Sequence, residues 1–104
     1  APDEALALSQ QGALFLDVRT PEEYAAGHVV GARNIPHTEI VARIAELAGA
    51  RDRDLVVYCR SGRRSELALE ALREAGFTRL FHLEGDWLRW SADKHPAVMA
   101  PAQP

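Results

Sequence analysis

The sequence predicts an α/β fold: a mainly parallel central sheet of four or five strands with helices on both faces. Two observations carry that expectation. Short runs at 13–18, 55–58 and 79–83 have the length and apolar content of strands. Helix-compatible segments separate them, and strands alternating with helices pair in parallel. A third observation sets the scale, since 104 residues without a repeat, low-complexity tract or internal linker make one domain. The expected domain covers 1–98, with 99–104 as a flexible C-terminal tail.

The elements follow in order. Residues 2–11 suit a helix, with acidic Asp3 and Glu4 near its positive end. The run 13–18 after Gly12 reads as a buried strand. Thr20-Pro21-Glu22-Glu23 is a helix start, with Thr20 as cap, Pro21 at the first helical position and Glu23 completing a capping box. Gly27 ends that short helix, and 28–36 reads as a loop leading into a very short strand. Ile40, Val41, Ile44, Leu47 and Ala48 recur at helical spacing, so a helix is expected over 38–48, closed by Gly49. Charged residues 51–54 connect it to Leu55-Val56-Val57-Tyr58, the clearest buried strand. A polar loop at 59–64 then leads into a helix over 65–75 that stops at Gly76. A last strand over 79–83 and a short helix over 86–92 follow, and the segment after Lys94 is expected to be extended or disordered.

Composition excludes several classes. With 47% hydrophobic and 26% charged residues the chain is an ordinary globular protein. No apolar run approaches the ~20 residues that a membrane helix needs. A net charge of -3 gives no general attraction to nucleic acid or anionic membranes, and neither is an expected partner. One cysteine leaves no framework for a disulfide or a cysteine-based zinc site. The four histidines, His28, His37, His82 and His95, form no ligand motif, so no metal is expected.

The chemistry concentrates at that cysteine. Cys59-Arg60-Ser61-Gly62-Arg63-Arg64-Ser65 joins the end of a buried strand to the start of a helix, the edge of a parallel sheet where ligands bind. Backbone N–H groups of a loop entering a helix make an anion nest, and the helix dipole favours a thiolate. Arg60, Arg63 and Arg64 add positive charge to an otherwise acidic protein, and Gly62 permits a tight turn. A nucleophilic cysteine acting on an anionic substrate is the resulting expectation. Asp17 and Arg19 lie at the end of the first strand, near the same edge, where a carboxylate pairing with a loop arginine would support the site. Trp87 and Trp90 read as packing, and Glu66, Glu70 and Glu74 as a solvated helix face.

Several ordered motifs resemble rhodanese domains. Leu16-Asp17-Val18-Arg19, Pro21-Glu22-Glu23-Tyr24, Gly27-His28-Val29 through Gly31-Ala32 to Asn34-Ile35-Pro36, and the Cys59 loop are similar to that family's signature. Glu84-Gly85 with Trp87 and Trp90 resembles its closing segment. The likeness spans about residues 13–98, and the short form resembles bacterial single-domain thiosulfate sulfurtransferases of the phage-shock type.

The resemblance implies sulfur transfer by double displacement. Cys59 would take the outer sulfur of thiosulfate as a persulfide and pass it to cyanide or a thiol. Arg60, Arg63 and Arg64 would hold the donor's sulfonate, and loop amides from Arg60 through Ser61, Gly62, Arg63 and Arg64 to Ser65 would cradle the persulfide. No cofactor is implied, and His28 is most simply structural. The second reading is a persulfide carrier exchanging sulfur with a protein partner. Phosphatases sharing the fold run from Cys through five residues to Arg; here four residues separate Cys59 from Arg64, which favours sulfur. The chain departs from the family at Asp86, where a second glycine is common; Asp86 is open to capping the next helix or placing negative charge near the donor. Ala1 in place of Met fits a removed initiator or a cleaved signal peptide, and the phage-shock likeness tilts the expected location towards the periplasm over the cytoplasm.

Overall fold

A buried strand, β4 (Leu55–Tyr58), organises the molecule. The computed structural model describes residues 2–100, and β4 sits inside a four-stranded parallel sheet of order β3-β1-β4-β5 among them. Its partners are β1 (Leu14–Asp17) and β5 (Leu80–His82), and β3 (Arg33–Asn34) adds to the far side of β1. The register sets Leu14 against Leu55 and Asp17 against Tyr58, so both central strands end at one edge.

Side chains alternate across a strand, and the two cores follow that period. Leu14, Leu16, Val18, Leu55, Val57 and Cys59 face one side, where Ala68, Leu69 and Leu72 of α3 (Arg63–Glu74) cover them. Phe15, Val56 and Tyr58 face the other, against Ala5 of α1 (Pro2–Gln10) and Trp90 of α4 (Asp86–Ala92). Helices therefore cover both faces, as the alternation of elements predicts. Glu66, Glu70 and Glu74 of α3 are exposed.

The capping box forms as the sequence specifies. Thr20 Oγ1 accepts the Glu23 N–H at 3.2 Å, and the Glu23 carboxylate accepts the Thr20 N–H at 3.1 Å, starting α2 (Pro21–Ala26), which Gly27 closes. Other expectations change. The helix expected over 38–48 is instead a pair of 3-10 segments, His37–Glu39 and Ile44–Ala50, with turns between them. Ile44, Leu47 and Ala50 face the core three residues apart, the repeat of a 3-10 helix, while Val41 and Ala48 are exposed. Gly49 lies inside the second segment and does not end it. The helix after Cys59 begins at Arg63, two residues before its expected start.

Part of the segment beyond Lys94 is an ordered strand, β6 (Ala97–Met99), antiparallel to β2 (Gly27–Val29). Gly27 is required for this approach, because a Cβ there would lie 2.9 Å from the Trp87 ring and 3.0 Å from Met99 Sδ. Trp90 secures the turn into β6 by donating its indole N–H to the Pro96 carbonyl at 2.9 Å. Of the tail expected at 99–104, residues 101–104 lie outside the described residues.

Trp90 is 1% exposed, packs against Phe15 at 5.5 Å between ring centroids, and ties α4 to the C-terminal strand. Trp90→Ala should therefore lower the unfolding free energy by about 3–5 kcal/mol, measured by urea denaturation.

Candidate active site

Cys59 is the residue immediately after β4, and the strand's alternation turns its side chain towards α3. Four backbone contacts fix the loop between them. The Gly62 N–H donates to Cys59 Sγ at 3.0 Å, and the Cys59 N–H donates to Asp86 Oδ1 at 2.9 Å. The carbonyls of Cys59 and Arg60 accept N–H bonds from Trp87 at 3.0 Å and Leu88 at 3.3 Å. Gly62 has φ +126, a left-handed geometry that suits glycine, and no side chain caps the N-terminus of α3 that follows. The sulfur thus sits at the positive end of a 12-residue helix, with one amide already on it.

The three loop arginines divide. Arg64 forms a two-pronged ion pair with Glu23 of α2, at 2.7 and 3.0 Å. Arg60 and Arg63 are exposed and form no ion pair among the described residues. Ser61 is exposed beside them, whereas the buried Ser65 hydroxyl donates to Asp86 Oδ1 at 2.8 Å. Arg60 also lines an open cleft with Arg19, Trp87, Leu88 and Met99.

Asp17 and Arg19 do not engage a loop arginine. They pair with each other, Arg19 Nη2 lying 2.6 Å from Asp17 Oδ2, and the same nitrogen donates to the Gly27 carbonyl at 2.6 Å. The reason is the pleat: Asp17 shares the face of Phe15 and Tyr58, opposite to the face that Cys59 takes. The Arg19 guanidinium lies 5.6 Å from the Tyr58 ring centroid and 5.0 Å from that of Trp87. Burial opposes its charge, but hydrogen bonding and attraction to Asp17 outweigh that opposition and hold it more firmly protonated. Burial also pushes the Tyr58 hydroxyl up, well beyond its ordinary range, and it accepts the Val29 N–H at 3.0 Å.

Glu23, read from the sequence only as a capping residue, supplies the carboxylate expected of Asp17. Asp86 caps nothing, since the residue before α4 is Gly85 and no side-chain bond caps that helix. Its carboxylate instead lies buried behind the Cys59 loop, with His82 Nε2 at 3.0 Å. The four-residue spacing of His82 and Asp86 was visible in the sequence, but a strand end and a helix start gave it no meaning there. His28 serves the fold, stacked on Tyr24 at 3.7 Å with Nδ1 2.8 Å from the Tyr24 carbonyl oxygen. Among the described residues no three His, Cys, Asp or Glu side chains converge to hold a metal, and no helix is long and apolar enough to cross a membrane.

The structure thus places a buried cysteine on a helix-entry loop at the carboxyl edge of a parallel sheet. The model of the rhodanese-like domain matches residues 1–93. The chain belongs to that family and is an enzyme of its sulfurtransferase class. The thiosulfate sulfurtransferase GlpE of Pseudomonas fluorescens is 34% identical over 105 residues, covering 99% of this chain and 92% of that one. The thiosulfate sulfurtransferase PspE of Escherichia coli is 42% identical over 71 residues, 68% of each chain. The solution structure of the rhodanese-like domain of Alr3790 from Anabaena matches with a TM-score of 0.83 at 27% identity, covering 99% of this chain and 83% of that one.

Arg64, together with the Thr20 amide and hydroxyl, holds the Glu23 carboxyl down to about 2 from an ordinary 4.5, against a partial-burial effect that raises it. A carboxyl held low in the folded state adds stability above its ordinary value and loses it as pH falls towards the folded one. The urea midpoint should therefore drop between about pH 4.5 and about pH 2, and Glu23→Gln should make that drop shallower.

Proposed function

We propose that the protein is a thiosulfate sulfurtransferase that carries sulfane sulfur on Cys59. The observation that carries this reading is the Gly62 N–H held 3.0 Å from Cys59 Sγ at the head of α3. That position stabilises a thiolate and, after transfer, a persulfide anion. The Cys59 thiolate attacks the outer sulfur of thiosulfate, forming a Cys59–sulfur bond. The donor's sulfur–sulfur bond breaks, and sulfite leaves with its electron pair. Cyanide or a thiol then attacks the terminal sulfur, and the Cys59 thiolate leaves with the electrons of the bond that breaks. Neither half needs an external oxidant or reductant.

The division among the arginines supports different work for them. Arg60 and Arg63, exposed and free of ion pairs among the described residues, are the cations available to the donor's sulfonate. Arg64, in the first turn of α3, is occupied by Glu23. Loop amides from Arg60 to Ser65 contribute the cradle. Burial of Cys59 at 1% exposure favours a small donor such as thiosulfate over a bulky one. A tetrahedral phosphate needs a wider ring of amides than four intervening residues supply, so phosphoryl chemistry is disfavoured.

The test is thiocyanate formation from thiosulfate and cyanide, with an aryl phosphate as control. Cys59→Ser should lose more than about 10³-fold in turnover. Arg60→Ala should raise KM for thiosulfate about tenfold, the size of one lost charge-assisted hydrogen bond. Feeble turnover by the native chain would shift the reading to a carrier loaded by a protein partner. Phosphate release would overturn it.

A further inference from the structure

We propose that Asp86 is the positioning residue of the sulfur-carrying loop, its buried carboxylate bracing the loop from behind. The proposal rests on the reading of Cys59 as the sulfur carrier. Asp86 is 1% exposed and has φ +51, a left-handed conformation that is strained for a residue with a side chain. A buried carboxylate in a strained backbone persists only where surrounding contacts hold it.

Those contacts bracket the loop. Oδ1 accepts the Cys59 N–H at 2.9 Å, at the loop's first residue, and the Ser65 hydroxyl at 2.8 Å, in the first turn of α3. His82 Nε2 lies 3.1 Å from Oδ1 and 3.0 Å from Oδ2, tying the same group to the end of β5. Between the two loop contacts, Oδ2 lies 3.2 Å from where a Cβ on Gly62 would sit. The carboxylate thus runs beneath the loop from Cys59 past Gly62 to Ser65, and β4, β5, α3 and α4 meet on one side chain.

Two consequences follow for the chemistry. Removing the acceptor frees the Cys59 and Ser65 donors and lets the loop's amides drift from the reacting sulfur. Removing only the charge takes away a negative group that opposes the thiolate. The titratable residues in contact with this carboxylate are Cys59, through its amide, and His82 of β5; Glu84 and Arg89 flank Asp86 in sequence, and Arg60, Arg63 and Arg64 follow Cys59.

Asp86→Gly and Asp86→Asn separate the two effects. Glycine suits φ +51 but offers no acceptor; asparagine keeps an oxygen for Cys59 and Ser65 and presents an amide to His82. Thermal unfolding checks that each variant folds. For Asp86→Gly, kcat/KM for thiosulfate should fall about tenfold. Asp86→Asn should stay within about threefold of native, with its iodoacetamide alkylation-rate profile for Cys59 moved to lower pH. Native kcat/KM in Asp86→Gly, an equal loss in Asp86→Asn, or an unmoved Asp86→Asn profile would each overturn the proposal. Alkylation needs no thiosulfate. A native chain inactive on thiosulfate would sink the sulfurtransferase reading while the alkylation profiles still judge Asp86.

Discussion

The parallel pairing of β1 with β4 is the constraint on which the site depends. Because Asp17 pairs with Tyr58, the chain leaves both central strands at the same edge, one residue from Cys59. What happens there is dictated by the pleat. Tyr58 enters the core beneath α1 and α4, and Cys59 enters the one beneath α3. A slip of one residue in register would exchange the two side chains and move the sulfur away from the helix whose N-terminus serves it. The Tyr58 hydroxyl opposes that slip, because it accepts the Val29 N–H at 3.0 Å only when Tyr58 faces that side.

The edge of this sheet also buries two carboxylates. Asp17 with Arg19 and Asp86 with His82 are acid–base pairs in which the carboxylate is almost fully buried. A buried ion pair such as Asp17–Arg19 stabilises little once desolvation is counted, but breaking it strands a charge. Among the described residues no buried side-chain nitrogen or oxygen lacks a partner. The value of these pairs is therefore geometric: one holds Arg19 to the Gly27 carbonyl, and the other reaches the Cys59 amide. Polar networks of this kind specify one arrangement where apolar packing tolerates several.

Most of the frame was legible because it obeys short-range rules. Strand lengths gave β1 and β4, the Thr20–Glu23 spacing gave α2, and the Cys59-to-Ser65 composition gave the loop. Other features depended on facts that a linear sequence does not display. Residues 38–48 carry apolar side chains compatible with an α-helix, yet only the three-residue set 44, 47 and 50 meets the core in the second 3-10 segment. β6 needed knowledge that Gly27 leaves room for Met99, a contact across about seventy residues. Glu23, besides its capping role, meets the loop arginine expected of Asp17 because face and reach, not nearness in sequence, decide which carboxylate meets an arginine. Asp86 stood out as a departure from the family pattern, but its purpose lay in partners 4, 21 and 27 residues away.

The split among the loop residues has a consequence for substitution. The side chains of Arg60, Ser61 and Arg63 are exposed, and neither arginine is committed to an ion pair among the described residues. Replacing such side chains shifts stability by only about 0.5 kcal/mol either way. Gly62, Ser65 and Asp86, by contrast, are held by backbone geometry and buried hydrogen bonds. The chain therefore separates what it must keep from what it can change. Under the proposed reading, substitutions at these three surface positions alter how a donor is held without disturbing the buried contacts that fix the loop.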